Sequence, residues 1–219
     1  MVDQTNIGQV IQILRVASPG FLAPVLTEMA AFGEDPYILL IACLLSLRTK
    51  DTTTGPAARR LFALASTPVQ MVSLSLEEIE QAIYPVGFYH NKAKIVQQVS
   101  WALLDRFSGK VPSDLDDLLT IKGVGRKTAN LVVTSGYHLP GICVDTHVHR
   151  ISNRWGYVTT KSPDETEMAL RKKLPSKYWI EYNDLLVALG QTLCHPTSPK
   201  CSQCPVEPFC AKKNVLRKR

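Results

Sequence analysis

The chain has 219 residues, 45% of them hydrophobic and 20% charged, which suits a globular protein with one large domain or two small ones. Its longest apolar run, residues 37–45, is far shorter than the roughly 20 residues of a membrane-spanning helix. The net charge of +6 is concentrated in residues 171–219 and favours a polyanionic partner such as DNA or RNA, although a solubilising tail would show the same bias. We recognise no secretory signal and expect a cytoplasmic protein, associated with the nucleoid in a prokaryote.

Helix signals recur along the chain, while strand signals are almost absent. Residues 37–47 follow Pro36 and are apolar on nearly every side, which predicts a central buried helix. Ser75 and Glu78 have the spacing of a capping box, which predicts a helix over residues 76–83. We therefore predict an all-α fold of about ten helices with short connections. The other predicted helices are, in chain order, 93–107, a short one from a Ser113 cap to Ile121, 126–135, one from a Ser162 cap to Leu174, and 178–194.

Four of the six cysteines lie close together near the C-terminus. Cys194, Cys201, Cys204 and Cys210 have the spacing C-x6-C-x2-C-x5-C, and four prolines between them exclude a continuous helix. Four thiolates in one tight loop suit a zinc ion or an iron–sulfur cluster. Zinc sites usually show two close cysteine pairs far apart in sequence, so a single close pair with flanking cysteines favours the cluster. Disulfides or free thiols are the remaining alternative, and the lack of an export signal argues against disulfides.

Two glycines separate a predicted short helix from the next one. Gly123 and Gly125 flank Val124, and we expect both glycines to allow positive φ and a close approach of the backbone to another surface. Exposed N–H groups in this turn, next to a helix N-terminus, would form a phosphate-binding site. An ordinary corner between two helices is the alternative interpretation.

Lys127 is predicted to lie in the first turn of the helix that follows the glycines. The positive end of the helix dipole, Arg126 and partial burial would lower the pKa of its amine. A neutral amine is what nucleophilic Schiff-base chemistry requires. The alternative is a solvated lysine or one that contacts a phosphate.

Asp145 lies between a Pro140-Gly141 break and the apolar periodic segment 148–155. This position is typical of a helix N-cap. A carboxylate opposite Lys127 could also stabilise developing positive charge and assist proton transfer. The two roles can coexist in one residue.

Three of these motifs together resemble the endonuclease III family, the helix-hairpin-helix DNA glycosylases with an accompanying lyase activity. They are GVGRKTAN at 123–130, VDTH at 144–147 and the four-cysteine spacing, and the resemblance extends from LLS at 44–46 to Cys210. It implies a [4Fe–4S] cluster on the cysteines and a catalytic pair of Lys127 and Asp145. Relatives that remove adenine from mismatches lack this lysine, so its presence favours the bifunctional branch.

The resemblance also implies an architecture. We expect a six-helix barrel over residues 29–139 that contains the hairpin, and a second helical lobe of residues 1–28 and 140–219 that holds the cluster. A DNA-binding cleft would separate the two lobes. The expected partner is damaged double-stranded DNA, bound by a monomer.

The implied activity is removal of oxidised or ring-saturated pyrimidines, followed by strand cleavage through a lysine Schiff base. Alternatives are a monofunctional glycosylase, a non-catalytic DNA-binding module and a zinc-stabilised nucleic-acid binder. The sequence departs from the family at Arg48, where glutamine is usual, and at Lys122, where proline is common. Phe88 matches the position of an apolar wedge. The expected DNA-contacting residues are Arg48, Phe88, Lys122, Gly123, Val124, Gly125 and Lys200, with His195 as a further basic candidate in the cysteine loop.

Overall fold

The computed structural model describes residues 1–22 and 35–219, and in this part of the chain all regular elements are helical. The predicted all-α fold is therefore confirmed. The chain divides into two compact units, Val25–Leu139 and Met1–Pro24 with Pro140–Arg219. The predicted domain bound at residues 28 and 29 lies outside the described residues, and the predicted lobes stay a prediction.

The helices follow one another with short connections. The α-helices are α1 (Ile7–Ala17), α2 (Pro36–Ser46), α3 (Asp51–Leu64), α4 (Pro68–Ser73), α5 (Leu76–Ile83), α6 (Tyr89–Phe107), α7 (Leu115–Leu119), α8 (Arg126–Leu131), α9 (Thr146–Trp155), α10 (Pro163–Lys173) and α11 (Trp179–Thr192), and a π-helical turn, Val132–Gly136, continues α8. Short 3₁₀ turns are formed by Ser18–Gly20, Ser176–Tyr178, Cys201–Gln203 and Glu207–Phe209. No helix of the described part is long and apolar enough to span a membrane.

Most predicted helix starts agree with the structure, but two do not. The Ser75–Glu78 capping box and the Ser162 cap are present. The short helix α7 is capped by Asp114 rather than Ser113, because the Asp114 carboxylate accepts the N–H groups of residues 116 and 117. Helix α6 begins at Tyr89, four residues before the predicted start.

The unit Val25–Leu139 is built around α2. Residues 37–45 of this helix are all buried, which confirms the predicted central helix. Helices α3, α6 and α8 pack against it. Complete burial of a Leu or Ile side chain contributes about 1.5–3 kcal/mol, so this helix supplies much of the stabilising core of its unit. The packing fixes α8, which carries Lys127.

The unit Met1–Pro24 with Pro140–Arg219 has a separate core in which α1 and α9 pack against α11. Trp155 of α9 meets Tyr182 of α11 edge to face, with ring centroids 6.4 Å apart. The Tyr182 hydroxyl also hydrogen-bonds Ser152 at 3.0 Å. These contacts fix α9, whose N-terminal end carries Asp145.

Candidate active site and cysteine-lined cavity

The two hairpin glycines have different structural roles. Gly123 has φ of +98°, and a Cβ added to it would lie 2.8 Å from Cγ2 of Ile95. Gly125 has φ of −95° and ψ of 173°, and a Cβ there would meet no atom within 4 Å. The prediction of positive φ at both glycines is therefore wrong for Gly125. Contacts within the protein explain a glycine at 123 but not at 125.

Val124 anchors the turn between these glycines. Its side chain is 6% exposed, and its N–H donates to the Ile121 carbonyl at 3.0 Å. Gly125 is the N-cap residue of α8 and makes no side-chain cap. Lys122, just before the turn, is exposed. In this turn the backbone of the two glycines and the side chain of Lys122 are exposed, while the Val124 side chain is buried and holds the turn in place.

Lys127 is the second residue of α8, in the first turn as predicted, and is half-buried. The next residues, Thr128, Ala129 and Asn130, are buried and hold the helix against its unit. The Asn130 amide donates to the Arg126 carbonyl at 3.0 Å and reinforces the first turn. The lysine therefore extends from a rigid backbone. The lowered pKa expected for its amine stays a prediction.

Asp145 caps α9, as one of its two interpretations predicts. Its Oδ1 accepts the N–H groups of His147 at 2.8 Å and Val148 at 2.9 Å. Within the described residues, Oδ2 accepts no hydrogen bond from the protein. Residues 141–144 before it are buried and fix its position. The cap of the helix thus uses only one of the two carboxylate oxygens.

Arg48 and Phe88, both predicted to contact DNA, lie close together. The Arg48 guanidinium carbon is 5.9 Å from the centroid of the Phe88 ring, within the range of a cation–π contact. Phe88 is a large apolar side chain with 65% of its surface exposed. Both residues have left-handed backbone, with φ of 53° and 60°. Such conformations are unfavourable for non-glycine residues and persist where neighbouring contacts hold them.

The four C-terminal cysteines line one cavity in the unit that contains α9 and α11. All of the chain's cysteines lie in the described part and have free thiols. No three His, Cys, Asp or Glu side chains of the described residues come together as ligands of a single metal ion. Lys200, expected to contact DNA, is half-buried and also lines the cavity. The four cysteines that line the cavity are Cys194, Cys201, Cys204 and Cys210.

The cavity disfavours unpaired thiolates. Burial, reinforced by the other thiols, raises the pKa of Cys204 to about 11, and burial also raises the pKa of Cys210. Four thiolates would therefore need a positively charged group at their centre. The walls of the cavity include the apolar residues Trp155, Leu189 and Leu193.

A buried arginine organises the cysteine loop, and the sequence analysis did not identify it. Arg154, 6% exposed, donates to the Cys194 sulfur at 3.3 Å and to the carbonyls of His195 at 2.7 Å and Pro196 at 2.6 Å. Arg150, one helical turn earlier, donates to the Cys194 carbonyl at 2.9 Å. The only trace of this contact in the sequence is that Arg150 and Arg154 lie four residues apart, on the same face of α9.

Comparisons with known proteins identify the family to which the chain belongs. Residues 41–176 match the family described as HhH-GPD superfamily base excision DNA repair protein. The chain is 42% identical over 176 residues to endonuclease III of Thermotoga maritima, covering 80% of this chain and 83% of that protein. A non-covalent endonuclease III–DNA complex superposes with a TM-score of 0.86 at 34% identity over 97% of both chains. A trapped endonuclease III–DNA covalent intermediate gives 0.77 at 38% identity, over 85% of this chain and 92% of the other. The chain belongs to the endonuclease III family of HhH-GPD base excision DNA repair proteins.

Proposed function

We propose that this protein is a bifunctional DNA glycosylase and abasic-site lyase of base excision repair. It removes oxidised or ring-saturated pyrimidines from duplex DNA and cleaves the strand 3′ to the abasic site by β-elimination. The observation that carries this proposal is Lys127 in the first turn of α8, directly behind the Gly123–Gly125 turn, in a chain similar to an endonuclease III trapped covalently on DNA. A lysine amine is a nucleophile that can form such a covalent bond.

Lys127 acts as the nucleophile. Its nitrogen lone pair attacks C1′ of the deoxyribose while the C1′–base bond breaks, and the base leaves with the bonding electrons and takes a proton from water. Asp145 stabilises the positive charge that develops on the sugar and carries the amine proton to O4′ as the ring opens to a Schiff base. The hydroxide left when the departing base takes a proton from water accepts a C2′ proton, and the C2′–H electrons form a double bond to C3′ as the C3′–O bond breaks and the 3′ phosphate leaves, which cuts the strand.

Asp145 can combine this role with its structural one. Oδ1 is held by two backbone N–H groups, so the carboxylate has one orientation, and Oδ2 accepts no hydrogen bond from the described residues. A carboxylate fixed in this way needs little reorganisation when charge develops on the sugar.

We propose that Cys194, Cys201, Cys204 and Cys210 hold a [4Fe–4S] cluster, which would tie the C-terminal loop together. Four thiols around one cavity, with a single close pair in sequence and one cysteine on each side of it, suit a [4Fe–4S] cluster better than one zinc ion. Because burial raises the pKa of Cys204 and Cys210, these thiols would act as thiolate ligands only beside a cationic centre. Iron and sulfide content and the visible spectrum of the purified protein test this, and stoichiometric zinc in a colourless protein would contradict it.

The protein would bind DNA as a monomer in the cytoplasm, mainly through phosphate contacts, so that its affinity falls as salt rises. The extruded nucleotide leaves a gap in the duplex, which an exposed ring beside a guanidinium can fill. The proposed phosphate contacts are Lys122, Gly123, Gly125 and Lys200, and the proposed gap-filling residues are Arg48 and Phe88. Val124, also expected to contact DNA, donates its N–H to the Ile121 carbonyl and would instead anchor the turn.

Borohydride trapping tests the proposed function. A duplex with one thymine glycol is mixed with the protein and borohydride, and covalent adduct and free base are both measured. We expect an adduct with the native protein and with Lys110→Ala, an exposed lysine of the same unit, but none with Lys127→Ala. Base release without an adduct would instead indicate a monofunctional glycosylase, in which Asp145 directs a water. Neither product would mean that the substrate is wrong or that the protein only binds DNA.

A further inference from the structure

Lys92 is a buried cation in a place where the sequence analysis assigned no function. It lies in the first turn of α6 with 6% of its surface exposed. Its ammonium donates to the Leu45 carbonyl at 2.7 Å, the Leu47 carbonyl at 2.5 Å and the Thr49 hydroxyl at 2.9 Å. These contacts use all three of its N–H donors. Among the described residues, no carboxylate pairs with it.

The three acceptors belong to the segment that leaves α2, residues 45–49. Arg48 lies in this segment, between two of the acceptors. The same Thr49 hydroxyl accepts the N–H of Gly87 at 3.2 Å, so the segment is joined to the turn that precedes α6. A Cβ on Gly87 would lie 2.9 Å from the Arg48 carbonyl oxygen, which shows how closely the two backbones approach.

Stability alone does not account for a lysine at this position. Burying an ammonium without a carboxylate is unfavourable, and an apolar side chain of similar length would avoid that penalty. The backbones of Arg48 and Phe88, both left-handed, require neighbouring contacts to hold them. The Lys92 ammonium supplies such contacts on one side, and the Gly87–Thr49 hydrogen bond supplies one on the other.

We infer that Lys92 is a positioning residue that joins the Arg48 segment to the Phe88 turn, so that the two side chains meet duplex DNA as one preformed wedge. The inference rests on the proposed function, because a wedge is needed only if the protein extrudes a nucleotide from duplex DNA. A wedge that is ordered before binding loses less conformational entropy when it enters the duplex.

The first test needs no DNA. Lys92→Met removes the donors and keeps a similar side-chain length, and Lys94→Met is a matched control on the exposed side of the same helix. Hydrogen–deuterium exchange is followed at Thr49 and Gly87, whose amides are both hydrogen-bonded in the native protein. We expect faster exchange at both amides in Lys92→Met and native rates in Lys94→Met. Native rates in Lys92→Met would overturn the inference.

The second test measures base release from a thymine glycol in a paired duplex and in an unpaired bubble. We expect Lys92→Met to slow release from the duplex about tenfold, the effect of freeing two ordered side chains, and to leave release from the bubble nearly unchanged. A merely structural defect would slow both substrates equally and would overturn the inference.

A triple variant shows whether Lys92 acts through the wedge. If it does, adding Lys92→Met to a protein that already carries Arg48→Ala and Phe88→Ala slows duplex cleavage no further, whereas independent effects multiply and would refute the inference. Should Lys92→Met fail to fold, Lys92→Gln has only two N–H donors for the three acceptors and is expected to speed exchange at the Thr49 amide, while native exchange there would count against the inference. A native protein that releases no base refutes the proposed function, and the exchange comparison still decides the role of Lys92.

Discussion

Alanine substitutions of the two hairpin glycines should separate folding from DNA binding. Gly123→Ala places a side chain on a left-handed residue, which costs about 1–2 kcal/mol. Its Cβ would also lie 2.8 Å from Cγ2 of Ile95, and overpacking of this kind costs about 1–3 kcal/mol. We expect the free energy of unfolding to fall by about 2–5 kcal/mol in total.

Gly125→Ala should leave the fold nearly unchanged. Its backbone angles are ordinary for alanine, and the new Cβ meets nothing within 4 Å. The lower entropy of the unfolded chain favours alanine, while its weaker N-cap propensity opposes it, so we expect a net change within about 0.5 kcal/mol. DNA affinity should nevertheless fall about tenfold, because a methyl group would separate the backbone from the phosphate that we propose it approaches.

Urea unfolding of the DNA-free variants measures the first quantity, and fluorescence anisotropy with a duplex that contains an abasic-site analogue measures the second. The double variant Gly123→Ala, Ile95→Leu removes the β-branch that causes the clash, so it should recover the packing part of the loss but not the backbone part. A loss above about 1 kcal/mol in Gly125→Ala, or native DNA affinity in that variant, would refute the assignment of separate roles to the two glycines.

Three further predictions concern the two buried cations, Arg154 and Lys92, and the proposed catalytic carboxylate of Asp145. Arg154→Met removes the donors to two carbonyls and a sulfur, so the visible absorbance of the proposed cluster should fade faster in chelator; an unchanged rate would contradict this role. Burial lowers the pKa of Lys92 from 10.5 to about 8, so the unfolded chain binds more protons between these values. Native stability relative to Lys92→Met should therefore rise between pH 8 and 10.5, by up to roughly 3 kcal/mol, and a constant difference would argue against the lowered pKa. Asp145→Asn keeps an oxygen for the cap, so the melting temperature should change little while base release slows about 100-fold; near-native release would leave Asp145 as a cap only.

Helix caps could be predicted where the interaction is local. Ser75 and Ser162 cap their helices as the spacing indicates, because donor and acceptor lie three residues apart. The prediction failed at Ser113, where the adjacent Asp114 takes the cap. It also failed at the start of α6, since that start follows a left-handed Phe88 in a turn tied to a distant segment.

The candidate catalytic residues were found in the sequence because they lie in short motifs with fixed spacing. Lys127 and Asp145 are placed by the glycine turn before one helix and by the cap of another, both of which are local features. Lys92 and Arg154 were not found, because most of their partners are main-chain carbonyls of segments about 40 residues away. Every residue type provides a main-chain carbonyl, so the sequence of the accepting segment does not indicate that a lysine or an arginine will bind there.

Because main-chain carbonyls are present whatever the side chain, the segment that follows α2 can carry Arg48, a residue unusual in the family. Lys92 holds this segment through the carbonyls of Leu45 and Leu47 and the hydroxyl of Thr49, and it makes no use of the side chain at position 48. The backbone geometry is therefore set independently of that side chain. If Arg48 belongs to the proposed wedge, an arginine in place of the glutamine usual in the family changes the side chain offered to the opposite base, while the backbone position of the segment stays the same.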